Sequence, residues 1–308
     1  MTSYKSQIFN FLIRNSYLLR GRLKKETFTM ATSIEKFRED CEKGAARYAK
    51  IPQNIQRKEQ TIDGIKSEWL IPAEANPEKL ILYVHGGGYV SGSCNDHRGF
   101  VSKFAQYTGV TTLIFEYRLA PEHTFPAALD DSVRIYKWLL ASGYQPENIL
   151  IAGESAGGGL CLATLLALKE KNITLPVAAV AISPWTDLTC SGESYKTKNR
   201  FSPAPLNSWN VFSNHYCGST PANHPLISPL FGDLKGLPPV FINSGVHDEL
   251  FDEGEKFSLK AKDAGVDVTF REGIGMLHCY PLLAPMFPEA TEAMNEIADF
   301  VKFHLKTN

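Results

Sequence analysis

Ser155 lies in "NILIAGESAGGGLCLATLLALKE", flanked by Gly153 and Gly157, with an apolar run before it and a longer one after it. The first run reads as a strand and the second as a helix, so the chain must turn sharply at the serine. Such a turn forces the central residue into a strained conformation and leaves no room for bulk two positions away, a steric need that Gly153 and Gly157 meet. The hydroxyl is left clear at the carboxyl end of a strand, where open α/β sheets place their chemistry. The helix beyond aims free backbone N–H groups, that of Ala156 first, at the same space, which suits a developing oxyanion. The chemistry this predicts is nucleophilic attack on a carbonyl carbon. A phosphate-cradling loop is the competing reading of a glycine-rich turn, and the Lys and spacing of a Walker motif are missing.

A second cluster, "HGGGYVSG", follows the run that ends at Val84. Gly86, Gly87 and Gly88 leave their amides unshielded and are expected to join the Ala156 amide in a hole for a tetrahedral intermediate. A neutral serine is a poor nucleophile and needs a base within hydrogen-bond reach, itself oriented by an acid. Among the eight histidines, His278 in "GIGMLHCY" falls after the last expected strand and before the last helix, where the chain order Ser, acid, His would deliver it. His85 is read as a brace for the glycine loop and His247 as a supporting or surface residue. His97, His123, His215, His224 and His304 stand in polar, loop or helical contexts and read as solvated or structural. For the acid, "INSGVHDELFDEG" offers Asp248, Glu249, Asp252 and Glu253. Asp252 with Glu255 fits a capping box, which leaves Asp248 nearest the strand end and makes it the choice.

These residues need a sheet to hold them. "KLILYVH", "VTTLIFEY", "NILIAGE", "VAAVAIS" and "PVFINSG" are short apolar runs that read as buried strands, with "DVTFRE" closing the sheet. Ile55 to Ile62 and Ile65 to Ile71, split by Asp63-Gly64, read as an opening hairpin. Helical spacing fills the gaps in "HRGFVSKFAQYTG", "AALDDSVRIYKWLLASG", the segment after Ser155, "EGEKFSLKAKDAG" and "ATEAMNEIADFVKFHL". The alternation predicts a mainly parallel sheet covered on both faces. Residues 190–220 break the rhythm, being polar, rich in Ser, Asn and Pro, and longer than a normal connection, so they read as an inserted lid. The expected division is an N-terminal cap segment (1–50), a catalytic core (51–189 and 221–308) and the cap insertion.

A formal net charge of -1 gives no chain-wide basic field to hold nucleic acid or an anionic membrane. Six cysteines lie scattered with no CxxC pair, and they read as reduced thiols of a cytoplasmic protein. No clustered Cys/His set would hold a metal, and the chemistry calls for no cofactor. The first 25 residues carry Lys and Arg but no acid, with apolar residues recurring at helical spacing, and are expected to form an amphipathic helix packed on the domain. Asn10 and Arg14 interrupt any signal-peptide core. A transit peptide or a membrane-surface helix is the alternative, and stable membrane insertion is not expected.

"HGGG", "YRLAPEHTFPAALDD", "GESAGGG", "SPW", "GLPPVFINSG" and "HD" followed by "DEG" resemble the hormone-sensitive-lipase-like branch of the α/β-hydrolase esterases, over about Leu80 to the C-terminus. The resemblance implies an eight-stranded, mostly parallel sheet with one antiparallel strand near its start, and a helical cap built from the N-terminal segment and the insertion. It implies a carboxylesterase in which Ser155 attacks, His278 shuttles the proton and Asp248 orients the imidazole. The first helix would then cover the acyl pocket, with Phe9, Phe11, Leu12 and Tyr17 as lining. Tyr89, Trp209, Phe212 and Tyr216 would complete a pocket suited to acetyl through about hexanoyl groups. Tyr280 keeps the family's aromatic two places after the histidine. Glu249 replaces the proline that often follows the aspartate, and it either raises the pKa of His278 or points to solvent. Relatives pair through an edge strand or terminal helix, so a homodimer is an option. Amidases of the arylformamide or arylacetamide type use the same groups on this fold. A branch of plant hormone receptors keeps the serine pocket but has lost the histidine, which is present here.

Overall fold

The computed structural model describes residues 2–19, 23–45 and 50–307. Eight strands form one sheet: β1 (Ile55–Ile62), β2 (Ile65–Pro72), β3 (Leu80–Val84), β4 (Thr111–Phe115), β5 (Ile149–Glu154), β6 (Ala178–Ile182), β7 (Val240–Gly245) and β8 (Val268–Gly273). Their order is β1-β2-β4-β3-β5-β6-β7-β8. β2 runs against both of its neighbours and every other pair is parallel, so one strand is reversed, as expected.

The helices are α1 (Tyr4–Arg14), α2 (Ser16–Leu19), α3 (Ile34–Ala45), α4 (Cys94–Thr108), α5 (Ala127–Ala141), α6 (Ala156–Glu170), α7 (Ser194–Thr197), α8 (Ser208–Cys217), α9 (Phe251–Asp263) and α10 (Pro288–Leu305). Strand periodicity sorts the core into two layers. Leu80, Leu82 and Val84 point to the face covered by α5, α6 and α9, whereas Ile81 and Tyr83 point to the face covered by α4 and α10. Central strands are therefore buried at every position, while β1 at one edge is exposed at most of its middle positions. α6 is buried along nearly its whole length, which explains why the sequence after Ser155 is apolar on all sides.

Two distant segments, both expected to belong to a cap, are joined by backbone pairing. Thr27 bridges to Leu206, the Phe28 amide donates to the Leu206 carbonyl at 2.8 Å, and the Leu206 amide returns to Glu26 at 2.8 Å. Lys25 Nζ donates to the carbonyls of Asn199 and Ser202, both at 2.8 Å. The 190–220 stretch is thus ordered as α7 and α8, with Trp209, Val211, Phe212 and Tyr216 buried.

Two expectations fail here. α1 does not lie over the acyl pocket: Phe9 packs on Phe287 at the head of α10 with ring centroids 5.5 Å apart. Phe11 and Leu12 stand 60% and 44% exposed, and Tyr17 is half-buried beyond the end of α1. The reason is polar: Ser3 and Ser6 hydroxyls donate to Glu289, and Asn10 Nδ2 donates to the Gly275 carbonyl at 2.7 Å. Those bonds fix the inner face of the helix. Likewise, Asp252 and Glu255 form no capping box, because α9 begins at Phe251 and both lie inside it. Asp252 Oδ2 instead accepts from the Ser194 amide at 2.9 Å and ties the cap to the core.

Candidate active site

Ser155 occupies φ 56°, ψ -125°, a region that a residue with a side chain enters only when its surroundings compel it. The surroundings are backbone. Its amide donates to the Ile182 carbonyl at 2.9 Å, and its carbonyl accepts from Gly159 at 3.0 Å and Trp185 at 2.9 Å. A Cβ on Gly157 would lie 2.2 Å from the Val84 carbonyl oxygen, so only glycine lets α6 start this close to β3.

The acid and the base arrive on two other strand ends. Asp248 follows β7 and is 1% exposed; its Oδ1 accepts from the Leu250 amide at 3.0 Å and its Oδ2 meets His278 Nδ1 at 2.9 Å. The His278 loop is moored to β6: the Cys279 amide donates to Ser183 Oγ at 3.0 Å, and Cys279 Sγ lies 3.9 Å from the Ile182 carbonyl. That carbonyl is the one Ser155 bonds. Burial disfavours the imidazolium, but the Asp248 carboxylate and the neighbouring Cys279 together hold the pKa of His278 well above its ordinary value.

The glycine loop departs from expectation at one residue. The Gly86 amide donates to Glu154 Oε1 at 2.6 Å, so it is already satisfied and is not a donor to substrate. Its carbonyl accepts from His85 Nδ1 at 2.8 Å. Because the Gly86 carbonyl and the Gly87 N–H belong to one peptide plane, that bond aims the Gly87 amide. Gly87 and Gly88 adopt φ of 111° and 64°, and their amides, like that of Ala156, have no acceptor among the described residues. His85 stacks on Tyr117 at 4.2 Å and burial lowers its pKa to about 4, so it stays neutral.

Glu154 and His97 are members of the site that the sequence reading missed. Glu154 Oε1 also meets His97 Nε2 at 3.1 Å, and the other nitrogen of His97 bonds Asp96. Asp96 closes a capping box with Ser93 at the head of α4. The signal was present: a glutamate ending the otherwise apolar "NILIAGE" must be buried, and a buried carboxylate needs partners.

Aromatic rings wall the space. Trp209 sets its edge against His278 at 5.6 Å, and its Nε1 donates to Glu249 Oε2 at 2.8 Å. Glu249, 7% exposed, therefore faces inward rather than to solvent, and burial raises its pKa. Trp185 lies between Trp209 and Tyr89 at 5.0 and 5.9 Å, and Tyr89 stacks on Tyr216 at 3.7 Å. Phe212 presses on Gly88, where an added Cβ would lie 2.4 Å from the ring. Behind it stand Phe28 and Phe37, at 5.9 and 5.4 Å, which are the N-terminal aromatics that reach this wall in place of Phe9 and Phe11. His247 stacks on Phe201 of the cap at 4.1 Å, a supporting position.

A strained serine at a strand–helix elbow, beside free amides and an Asp–His pair on neighbouring strand ends, defines a hydrolase of the α/β class. A family model described as the alpha/beta hydrolase fold matches residues 81–282. The chain is 39% identical to an acetyl-hydrolase of Streptomyces hygroscopicus over 79% of its own length and 81% of the relative's. It is 34% identical to an esterase of Acinetobacter venetianus over 81% and 84%. Among solved structures, an esterase/lipase from an uncultured bacterium superposes with TM-score 0.91 at 35% identity over 99% of this chain and 100% of that one. An esterase of the bacterial hormone-sensitive lipase family gives 0.90 at 34% over 99% of each. The chain belongs to the bacterial hormone-sensitive lipase family of α/β-hydrolases and is a carboxylic ester hydrolase.

Proposed function

We propose that the protein hydrolyses short-chain acyl esters through a Ser155–His278–Asp248 triad and an acyl-enzyme. The observation that carries this reading is the 2.9 Å bond from His278 Nδ1 to Asp248, on a loop moored to the same Ile182 carbonyl as Ser155. With Nδ1 given to the aspartate, Nε2 is the nitrogen left to take the serine proton. Ser155 Oγ attacks the ester carbonyl, and the oxyanion is held by the amides of Gly87, Gly88 and Ala156. His278 then hands the proton to the departing alcohol, and water frees the acid by the reverse sequence.

Preference for short acyl groups is supported by the wall of Trp209, Phe212 and Trp185 closed from behind by Phe28 and Phe37. Relatives named acetyl-hydrolase and ethyl acetate hydrolase, and a structural neighbour soaked with p-nitrophenyl butyrate, agree with it. A cytoplasmic location rests on the sequence, whose six scattered cysteines include no CxxC pair. The test is labelling with a fluorophosphonate followed by mass mapping, together with a chain-length series of p-nitrophenyl esters. The label is expected on Ser155, and kcat/KM is expected to peak between acetyl and about hexanoyl. A label elsewhere removes the triad; a maximum at long chains removes the short-chain reading alone.

A further inference from the structure

The first 25 residues include Lys5, Arg14, Arg20, Arg22, Lys24 and Lys25 and no acid. At about 3.6 residues per turn, α1 divides into two faces of opposite character. Ser6, Phe9 and Asn10 share the face that packs on α10, held chiefly by hydrogen bonds to Glu289 and Gly275. Tyr4, Ile8, Phe11 and Leu12 fall together on the other face, and stand 78%, 48%, 60% and 44% exposed. Lys5 borders that stripe on one side and Arg14 on the other. The helix is therefore inverted, with its bonding groups turned to the protein and its apolar stripe to solvent. Leu18 and Leu23, 51% and 91% exposed, extend the apolar surface beyond it.

We propose that this stripe is a docking surface for a lipid bilayer carrying anionic headgroups. A helix with an apolar strip edged by cations lies in the plane of such an interface, burying the strip at the acyl boundary while the cations reach back to the headgroups. Tyr4 suits the boundary, having an apolar ring and a polar tip. A second copy of the chain fits poorly, because two-fold pairing of the stripe would set Lys5 and Arg14 of one copy beside those of the other. Glu292, Glu296 and Asp299, which line a shallow depression together with Lys5, belong to α10 on the inner side of the helix. Among the described residues no helix is long and apolar enough to cross a membrane, so the contact is peripheral and reversible. Docking would bring the site to the lipid surface: Asn10 holds the His278 loop through Gly275, and the Arg14 guanidinium lies 6.0 Å over Phe201, which stacks on His247 beside Asp248.

The test is co-sedimentation of the full chain with vesicles of phosphatidylcholine alone or mixed in equal parts with phosphatidylglycerol. The variant is Tyr4→Ser/Ile8→Ser, whose positions are exposed and remote from catalysis. Binding is expected to the mixed vesicles, to be several-fold weaker to the neutral ones and to decline with added salt. The double variant is expected to lose about tenfold in partition while keeping its melting temperature and its rate on soluble p-nitrophenyl acetate. Absence of binding by the wild type, or equal binding by the variant, overturns the proposal. So does a wild-type dimer in sedimentation velocity that the double variant splits, since a second copy would then cover the stripe.

Discussion

His278 and His97 make the same first contact and end with opposite capacities. Each turns Nδ1 to a buried aspartate, Asp248 in one case and Asp96 in the other. The difference lies at the second nitrogen. Nε2 of His97 faces the Glu154 carboxylate at 3.1 Å, so both nitrogens donate. Against the effect of burial, Asp96 and Glu154 push the pKa of His97 up to about 10. With both nitrogens donating to carboxylates, the His97 ring presents no lone pair to a serine hydroxyl. No carboxylate among the described residues claims the second nitrogen of His278. An Asp–His pair is a base only where that nitrogen is left open, and for His97 the neighbour that closes it is Glu154, the residue preceding Ser155.

The strongest way to break this contrast is to remove each imidazole in turn. His278→Ala is expected to lower kcat on p-nitrophenyl acetate by on the order of 10⁶. Asp248→Asn follows at about 10⁴, because the amide presents the wrong partner to Nδ1 and fixes the wrong tautomer. His97→Ala is expected to fall far short of both. Equal losses for His97→Ala and His278→Ala would erase the distinction.

A smaller effect sharpens what His97 is for. It holds Glu154 on the Gly86 amide, and the Gly86 carbonyl sits on His85, so the peptide that carries the Gly87 donor is pinned at its neighbour on one side and directly on the other. Glu154→Ala leaves that amide buried and unpaired and lets the loop drift. The expectation is a loss of about 10² in kcat with KM changed by no more than about twofold, because the hole engages only the transition state. Glu154→Gln keeps an acceptor for Gly86 and should retain most of the lost activity. Steady-state kinetics on the two variants decides it: equal kcat values would show that the carboxylate does not position the loop.

The contrast also marks what a sequence exposes. Gly153, Ser155 and Gly157 announce themselves because the strain they relieve is local, within a few bonds of the serine. The order of Ser155, Asp248 and His278 is legible because each ends a strand of one sheet, and strand runs such as "VAAVAIS" read plainly. His97 is hidden because its meaning depends on Glu154, far along the chain and brought close only by the pairing of β3 with β5. Gly86 has the same history, its amide being free in the motif and taken in the fold. α1 misled for a different reason: apolar spacing predicts a face to bury, yet Ser3, Ser6 and Asn10 bond α10 and the loop at Gly275, and hydrogen-bond partners cannot be read from periodicity. Phe28 and Phe37 went unnoticed because the cap wall they join depends on Leu206 pairing with Thr27.

The gentlest probe is pH, which separates three imidazoles by the direction in which each is shifted. As the proposed base, His278 must be neutral to act, and its raised pKa is expected to move the acid limb of kcat/KM above the ordinary histidine value of about 6.5. For His97 the folded pKa, about 10, exceeds the unfolded value, so folding favours its charged form. That contribution is complete below about pH 6.5 and is lost as pH rises through about 10. For His85 the folded pKa, about 4, lies below the unfolded value, so folding favours the neutral ring and stability declines as pH falls from about 6.5 toward 4. Other groups titrate in the alkaline range, including buried tyrosines, so the informative quantity is the difference in melting temperature between wild type and His97→Gln. It is expected to be positive near pH 7 and to shrink steadily toward pH 10. A difference that stays constant across that range would mean that His97 contributes by shape rather than by charge, and the imidazolium lock on Glu154 would fail with it.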